Sequence, residues 1–525
     1  MTIRLTFLFC FITLAGTAQQ GTTTPYLSSE TAALSKYWIL FDSKDQTSSP
    51  ALSQQAYERR QMQNLSVDEL DRPVSTAYLS RLKQVGVEPI CQSRWLNAVS
   101  ARLTTTQCAT VLAMPFVKAI QPIDPSIVIT SVGVPNGSSE AQLAPVMTQI
   151  QAPDFAQAGL TGRFVTIGVI DAGFFGADSA NALKHIFVRE GVKQVRDYVN
   201  DKKTHGNLFH TLETFSDTHG TEVLAAIAGS DPIDNIQYGL ATDATFYLAR
   251  TDQGNKEFRG EEDNWVAAME WMDSLGVRLI NTSLGYAKGM SNPKENYEPG
   301  QMDGHTSLIS RAAQIAADKK GILIIVSAGN EGDDRSWRII STPADAQGVL
   351  AIGATNNRLW NRIGYSSIGP ESLPYLKPNV SCFSLYGTSL SAPVITGFAA
   401  CLMQANPKLT NKQLMEIIEK SSHLYPYGNN YVGYGVPQAS RAIAMLRNQP
   451  IPTTARSVKA TGKSFVLPVT TNEPLISVFH KKDATHVLQQ EATKVAGGKL
   501  TLRRATNEKR TTVDLKKEVI EVFWE

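Results

Sequence analysis

The sequence predicts an α/β protein with a central parallel sheet covered by helices on both faces. A small α/β unit precedes it and a small β-domain follows. Three observations lead there. From about residue 150, the apolar β-type runs "RFVTIGVID" (163–171), "ATFYLAR" (244–250), "VRLINTSLG" (277–285), "GILIIVSAGN" (321–330) and "VLAIGAT" (349–355) recur. Helical patterns such as "EDNWVAAMEWMDSLG" and "SLISRAAQIAADKK" lie between them. Near-continuous hydrophobic strands need cover on both faces, and intervening helices supply it. Second, residues 30–125 carry their own alternation of strand and helix patterns. Third, short β-type runs after "PIPTTAR" (450–456) are separated only by turn signals.

In chain order, "MTIR" is a short positive leader, "LTFLFCFITLAG" an apolar run, and "GTAQQ" a stretch of small residues. This pattern predicts a signal peptide over 1–18, too short to span a membrane. No other stretch approaches a membrane span, so the protein is expected to be secreted, to the extracellular space or cell envelope. "KYWILFDSKD" (36–45), "RWLNAVSARL" (94–103) and "FVKAIQPI" (116–123) read as strands. "TAYLSRLKQVG" (76–86) and "TTTQCATVLAM" (104–114) read as helices. They make one α/β unit over 19–130. "SVGVPNGSSEAQLAP" (131–145), rich in Gly, Ser and Pro, reads as an exposed linker over 131–149. The parallel-sheet unit occupies 150–447, and a small antiparallel β-domain occupies 457–525.

The 525 residues are 42% hydrophobic and 19% charged, an ordinary globular balance. A formal net charge of +2 gives no sign of nucleic acid as a partner. Of the five cysteines, Cys10 lies in the leader and Cys91 and Cys108 share the first unit. Cys382 and Cys401 flank Ser389, and both a bridge and two free thiols fit their spacing.

Four residues sit where chemistry collects in such a fold, at strand ends and helix starts. "TIGVID" ends on Asp171. "SDTHGTEVLAAIAG" places His219 at the start of an apolar helix. "SAGNEG" puts Asn330 just past the most hydrophobic strand. "LYGTSLSAP" puts Ser389 ahead of the run "VITGFAACLM". Each has a structural reading as a turn or cap. Together they match one chemistry. A serine hydroxyl needs a base, imidazole is suited to that task, and a carboxylate fixes the imidazole's tautomer. An amide and a helix N-terminal N–H suit the charge that develops on an attacked carbonyl.

The motifs "VIDAGF", "HGTEV", "NTSLG", "SAGNEG" and "GTSLSAP", in that order, resemble those of the subtilisin-like serine proteases, the subtilases. The resemblance implies a subtilisin-like fold and a secreted serine endopeptidase working through an acyl-enzyme. Asp171 would orient His219, His219 would act as base and then acid, and Ser389 would be the nucleophile. Asn330 would donate to the oxyanion. Ser283, Leu284 and Gly285 of "NTSLG", with Ser327, Ala328 and Gly329 of "SAGNEG", would bind the peptide substrate. The unit at 19–130 resembles the pro-segments of such enzymes, which implies an intramolecular inhibitor removed near 125–145. No cofactor is required; many subtilases hold structural calcium, but no stretch here has a diagnostic ligand spacing. The alternative is a catalytically inactive subtilase-like binding or scaffold protein.

Three departures accompany the resemblance. "YLKPNVSCFSLYGTS" is short, Asn379 stands where Asp is usual, and the stretch following Asp171 carries a helix-like insertion expected to pack beside the sheet. The first two fall in a region expected to wall the cleft. The resemblance implies that the pocket for the residue before the cut depends on loops such as "GDDRSWRIISTP" (332–343).

Overall fold

The computed structural model describes residues 34–123, 140–199, 208–231, 233, 235–252, 261–288, 296–451 and 455–525. The expected leader and residues 131–139 of the expected linker lie outside them. The first unit runs β1 (Ser35–Phe41), α1 (Gln54–Met62), α2 (Thr76–Gln84), β2 (Pro89–Ser93), β3 (Ala98–Leu103), α3 (Thr105–Leu112), β4 (Val117–Pro122). Its strands pair antiparallel in the order β2-β3-β1-β4. Strand alternation gives the sheet two working faces. Ile39, Phe41, Val99 and Leu103 pack on Leu82 of α2 and Val111 of α3. Trp38, Leu40 and Ala98 face the next unit and pack with its Leu308.

Two local features differ from expectation. "RWLNAVSARL" is not one strand, because Asn97 turns the chain at φ 49° and β3 begins after it. The helix α1 has no apolar stripe to betray it. Its N-terminus is capped by Ser53, whose side chain accepts from the Ala56 N–H at 3.2 Å, and its buried face carries Arg59 and Arg60.

The second unit begins with α4 (Glu140–Gln149) and α5 (Ala152–Gln157), then β5 (Thr166–Asp171), α6 (Lys184–Val188), β6 (Val192–Asp197) and α7 (His219–Ala228). It continues through the small hairpin β7 (Ser230–Asp231) and β8 (Ile236–Gln237), then β9 (Thr245–Arg250), α8 (Glu262–Ser274) and β10 (Leu279–Thr282). It ends with α9 (Leu308–Lys320), β11 (Leu323–Ser327), β12 (Leu350–Thr355), β13 (Val380–Phe383), α10 (Thr388–Ala405), α11 (Asn411–Ser421) and α12 (Ala439–Leu446). Residues 140–149, read as linker, are thus helical. Val146 is fully buried in the core, and Gln149 accepts from the Phe383 N–H at 2.6 Å. The insertion after Asp171 supplies α6 and β6, the latter an edge strand of the sheet.

Seven strands pair in parallel in the order β13-β12-β11-β10-β5-β9-β6. Alternate residues serve opposite layers. Ile167, Val169, Leu323, Ile325 and Ile352 meet α7 and α10 on one face. Ile170, Ile280, Ile324 and Val326 meet α8 and α9 on the other. Gly168 makes room for α8, since a Cβ there would strike Met272 Sδ. The helix α10 is long and apolar enough to cross a membrane by composition, but it is 89% buried as the core helix of this layer. Cys382 and Cys401 are both free and buried.

Asn379 does not wall a cleft. It precedes β13, at the edge of the sheet opposite the strand ends. There its Oδ1 accepts from the Ala351 N–H at 2.9 Å and from Lys377 Nζ at 3.1 Å, and its Nδ2 donates to Glu419 at 2.8 Å. Lys377 is fully buried, and desolvation pushes its pKa down to about 7.

The last unit contains β14 (Ala455–Ala460), β15 (Ser464–Pro468), β16 (Ile476–Lys481), β17 (Val487–Thr493), β18 (Lys499–Arg503), β19 (Arg510–Asp514) and β20 (Val519–Trp524). One sheet has the order β14-β20-β19-β16-β17 and another pairs β15 with β18. All pairs are antiparallel except β14 and β20, which run the same way because the first strand joins the edge beside the last. This unit is fastened to the preceding one. Val487 N–H donates to Asn430 Oδ1 at 2.9 Å, Ser477 Oγ to Leu359 O at 2.8 Å, and His423 Nε2 to Asp514 at 3.2 Å.

The first unit sits on α8 and α9 through buried charge. Lys36 meets Asp263 at 2.8 Å. Glu270 accepts from Ser93 Oγ at 2.6 Å and from the N–H groups of Arg94 and Trp95 at 2.9 and 3.1 Å. Asp273, fully buried, receives Arg59, Arg60 at 3.0 Å and Arg94 at 2.6 Å. Burial alone would raise its pKa, but the three guanidiniums prevail and hold it below the usual carboxylate value. Asp273→Asn keeps the shape and removes the carboxylate charge that three guanidiniums share, leaving Arg60 with Asp71, Arg94 with Glu270 and Arg59 without an acidic partner among the described residues. Losing one partner of a buried pair costs about 3–5 kcal/mol, so denaturant titration of the full chain should show a loss of that order.

Candidate active site

Parallel pairing decides which residues meet. Ile170 of β5 is level with Thr282 of β10, and Thr282 with Val326 of β11. The residues that follow, Asp171, Ser283 and Ser327, therefore emerge side by side at one edge of the sheet. The helices α7 and α10 start at this edge, with His219 and Ser389 in their first turns, and pass back across the same face. They pack closely at Gly397, where a Cβ would lie 3.0 Å from the Ile227 carbonyl oxygen. Ile227 and Gly397 lie equally far past His219 and Ser389, so the two helix starts are neighbours.

His219 Nδ1 and Asp171 Oδ1 are 2.7 Å apart, with the carboxylate fully buried and the imidazole 6% exposed. A carboxylate only accepts, so Nδ1 carries the proton and Nε2 presents a lone pair. Nε2 is buried and has no hydrogen-bond partner. Burial lowers the imidazole pKa, but the Asp171 charge and hydrogen bond outweigh it and the net shift is upward. Asp171 is steadied by the Ala172 N–H at 2.8 Å. Contact between the two residues requires Gly220. Its N–H donates to Gly173 O at 2.8 Å, and a Cβ there would overlap that carbonyl and come within 3.0 Å of Asp171 Cβ.

Ser389 is 2% exposed. Its Oγ donates to Ser283 O at 3.3 Å, and Ser283 Oγ donates in return to Ser389 O at 2.9 Å. The hydroxyl is thus turned to the "NTSLG" segment, without a hydrogen bond to His219. Asn330 Oδ1 accepts from Thr388 N–H at 2.9 Å and Thr388 Oγ1 at 3.0 Å. Because the backbone N–H can only donate, the atom facing it is oxygen, and Nδ2 is left buried without a partner. Thr388 also ties down Gly329, accepting from its N–H at 3.1 Å. Leu284 and Ala328 are fully buried, and Ser327 Oγ has no hydrogen-bond partner.

One residue beside the dyad was missed from sequence. Asp252, two residues past β9, is fully buried. It accepts from Thr251 Oγ1 and from Tyr286 OH, the latter at 3.2 Å, while Thr251 N–H donates to Asp171 O at 3.1 Å. Desolvation, with the Asp171 charge adding to it, pushes its pKa up to about 7. Its signal is the one that singles out Asp171: a carboxylate at the end of a buried strand. Among the described residues, no group of three or more His, Cys, Asp or Glu side chains is arranged to hold a metal ion.

Comparison with known proteins fits this geometry. Residues 36–133 match the Peptidase S8 propeptide domain of Bacteroidota, and residues 162–435 match the Subtilase family. The chain is 30% identical to Subtilisin DY of Bacillus licheniformis over 287 residues, covering 52% of this chain and 89% of that protein. It is 28% identical to Subtilisin NAT of Bacillus subtilis subsp. natto over 302 residues, covering 55% and 68% respectively. The crystal structure of MycP1 with its N-terminal propeptide removed superposes with a TM-score of 0.43 at 21% identity, over 59% of this chain and 98% of that one. With a family match that spans the whole sheet and both helix starts, the chain belongs to the subtilase family of serine endopeptidases.

Proposed function

We propose that the chain is the precursor of an exported endopeptidase that works through Ser389, His219, Asp171 and Asn330. Ser389 Oγ attacks the substrate carbonyl carbon as His219 Nε2 takes the hydroxyl proton. The C–N bond then breaks as His219 returns that proton to the leaving amine, leaving an ester on Ser389. Water repeats the sequence and frees the acid. Asp171 holds the Nδ1 proton in place and balances the imidazolium. Asn330 Nδ2 and the Ser389 N–H receive the oxyanion. The segments Ser283–Gly285 and Ser327–Gly329 flank the peptide and hold it by main-chain bonds.

One observation carries this reading. Several buried polar atoms at a single sheet edge, His219 Nε2 and Asn330 Nδ2 among them, lack partners. Burying such atoms unpaired is costly in the resting chain and useful only if something else arrives. In this reading Ser389 Oγ turns from the Ser283 carbonyl toward His219 Nε2 by a change of side-chain rotamer. The unit over α8 and α9 serves in this reading as a pro-segment, cut away between 125 and 145, and residues 1–18 direct export.

A fluorophosphonate probe should label Ser389 and no other residue. Ser389→Ala should keep the fold while losing cleavage of denatured casein; equal cleavage by both proteins removes the assignment. The base form of His219 does the work, so kcat/KM should rise with pH through a value above the 6.5 of an ordinary imidazole. Asp171→Asn should move that limb to lower pH and lower kcat by about 10,000-fold, as loss of the corresponding Asp does in other serine proteases. Gly220→Ala should separate His219 from Asp171 and cost about 100-fold in kcat, with about 1–3 kcal/mol of stability lost to overpacking. Steady-state kinetics and denaturant titration read the two effects.

A further inference from the structure

Glu331 of the "SAGNEG" motif has no part in the mechanism above. It follows the oxyanion donor Asn330, and its half-buried side chain folds back onto the chain. Its Oε2 accepts from the Asn330 N–H at 2.9 Å and from Ser367 Oγ at 3.0 Å, while its own N–H donates to Ser367 Oγ at 3.1 Å. The fold-back passes over Gly329, where a Cβ would lie 2.7 Å from that carboxylate oxygen and 2.8 Å from Ser367 Oγ. Gly329 has φ 113°, a conformation that side chains disfavour.

Ser367 is a firm anchor. It is fully buried, and its N–H donates to Gly329 O at 3.0 Å. Tyr365 O accepts from the Gly332 N–H at 2.7 Å, so residues 365–367 are bonded to both ends of 329–332. The neighbouring Ser366 Oγ accepts from the Ala354 N–H of β12 at 2.9 Å. Glu331 therefore ties the Asn330 backbone to the body of the sheet, whereas Thr388 holds the Asn330 side-chain oxygen. Both points must stay in place for Nδ2 to keep one direction. Desolvation outweighs the donors around Glu331 and raises its pKa, so water would solvate this charge better than the site does.

We propose that Glu331 is a positioning residue for the oxyanion hole, an inference that rests on the endopeptidase reading above. By gripping the Asn330 N–H it aims Asn330 Nδ2 at the substrate's carbonyl oxygen, and in this role it acts entirely through Asn330. A donor preset for developing charge works only in the transition state, so misaiming it lowers kcat and spares KM.

The test is a double-mutant cycle, read by steady-state cleavage of one peptide p-nitroanilide by the secreted protein. Asn330→Ala should lower kcat by about 100- to 1000-fold. Glu331→Ala should lower it by about 10- to 100-fold, with KM changed by less than about threefold. Added to Asn330→Ala, the same change should cost less than about twofold, because nothing is left to aim. Glu331→Gln keeps an accepting oxygen of the same reach and should bring kcat back to within about fivefold of wild type. Ser367→Ala removes the anchor and leaves the carboxylate. It should show a smaller loss in kcat, again absent on the Asn330→Ala background. Losses that multiply in the double variants overturn the proposal, as does a change confined to KM or a Glu331→Ala protein as fast as wild type. No turnover by wild type, with Ser389 resisting a fluorophosphonate, overturns the endopeptidase reading and this one with it.

Discussion

Everything at the site depends on strands that run the same way. In a parallel sheet all strand ends of one kind lie along one edge, and the register of β5, β10 and β11 delivers Asp171, Ser283 and Ser327 there together. Helices returning over the same face must start at that edge, which brings His219 and Ser389 to it. A buried carboxylate at such a place is tolerable only with hydrogen bonds to its charged form, and His219 and the Ala172 N–H supply them. Gly220 and Gly397 then act as spacers, setting how closely imidazole, carboxylate and the two helices approach.

The helix α8 joins this edge to the N-terminal unit. One side of it presses Met272 onto Gly168, directly beneath the strand that ends in Asp171. Another side offers Asp263, Glu270 and Asp273 to the first unit. These carboxylates are treated differently by their surroundings. Asp273 meets three guanidiniums and is held ionised, whereas Glu270 meets only Arg94 beside the donors of Ser93 and Trp95, and burial prevails to raise its pKa. The contact is therefore specific in charge pattern as well as in shape. An apolar face alone, Trp38, Leu40 and Ala98 on Leu308, would have left its orientation far less constrained.

Much of this was legible in the chain. Strands buried on both faces announce themselves as unbroken apolar runs, and Asp171, His219, Asn330 and Ser389 each stand next to one. What escaped notice was held by polar or distant contacts. The helix α1 docks through Arg59 and Arg60, so it has no hydrophobic period to read. The helix α4 follows a Gly- and Ser-rich stretch and contains Pro145, features that read as linker, while its partner β13 lies more than two hundred residues away. Asn379 followed family position rather than its own bonds, which tie it to Lys377 and Glu419 far from the strand ends. The bond between Glu331 and Ser367 is a contact between loops, and no local pattern encodes it.

The C-terminal sheets are fastened to the catalytic body by directed bonds through Asn430, Leu359 and His423, around a shared apolar patch that includes Phe479, Leu424 and Val432. Such a joint leaves little freedom to swing. Whatever surface those sheets present to the surroundings keeps a constant bearing relative to Ser389. Their position is that of a bracket, set at one angle to the parallel sheet.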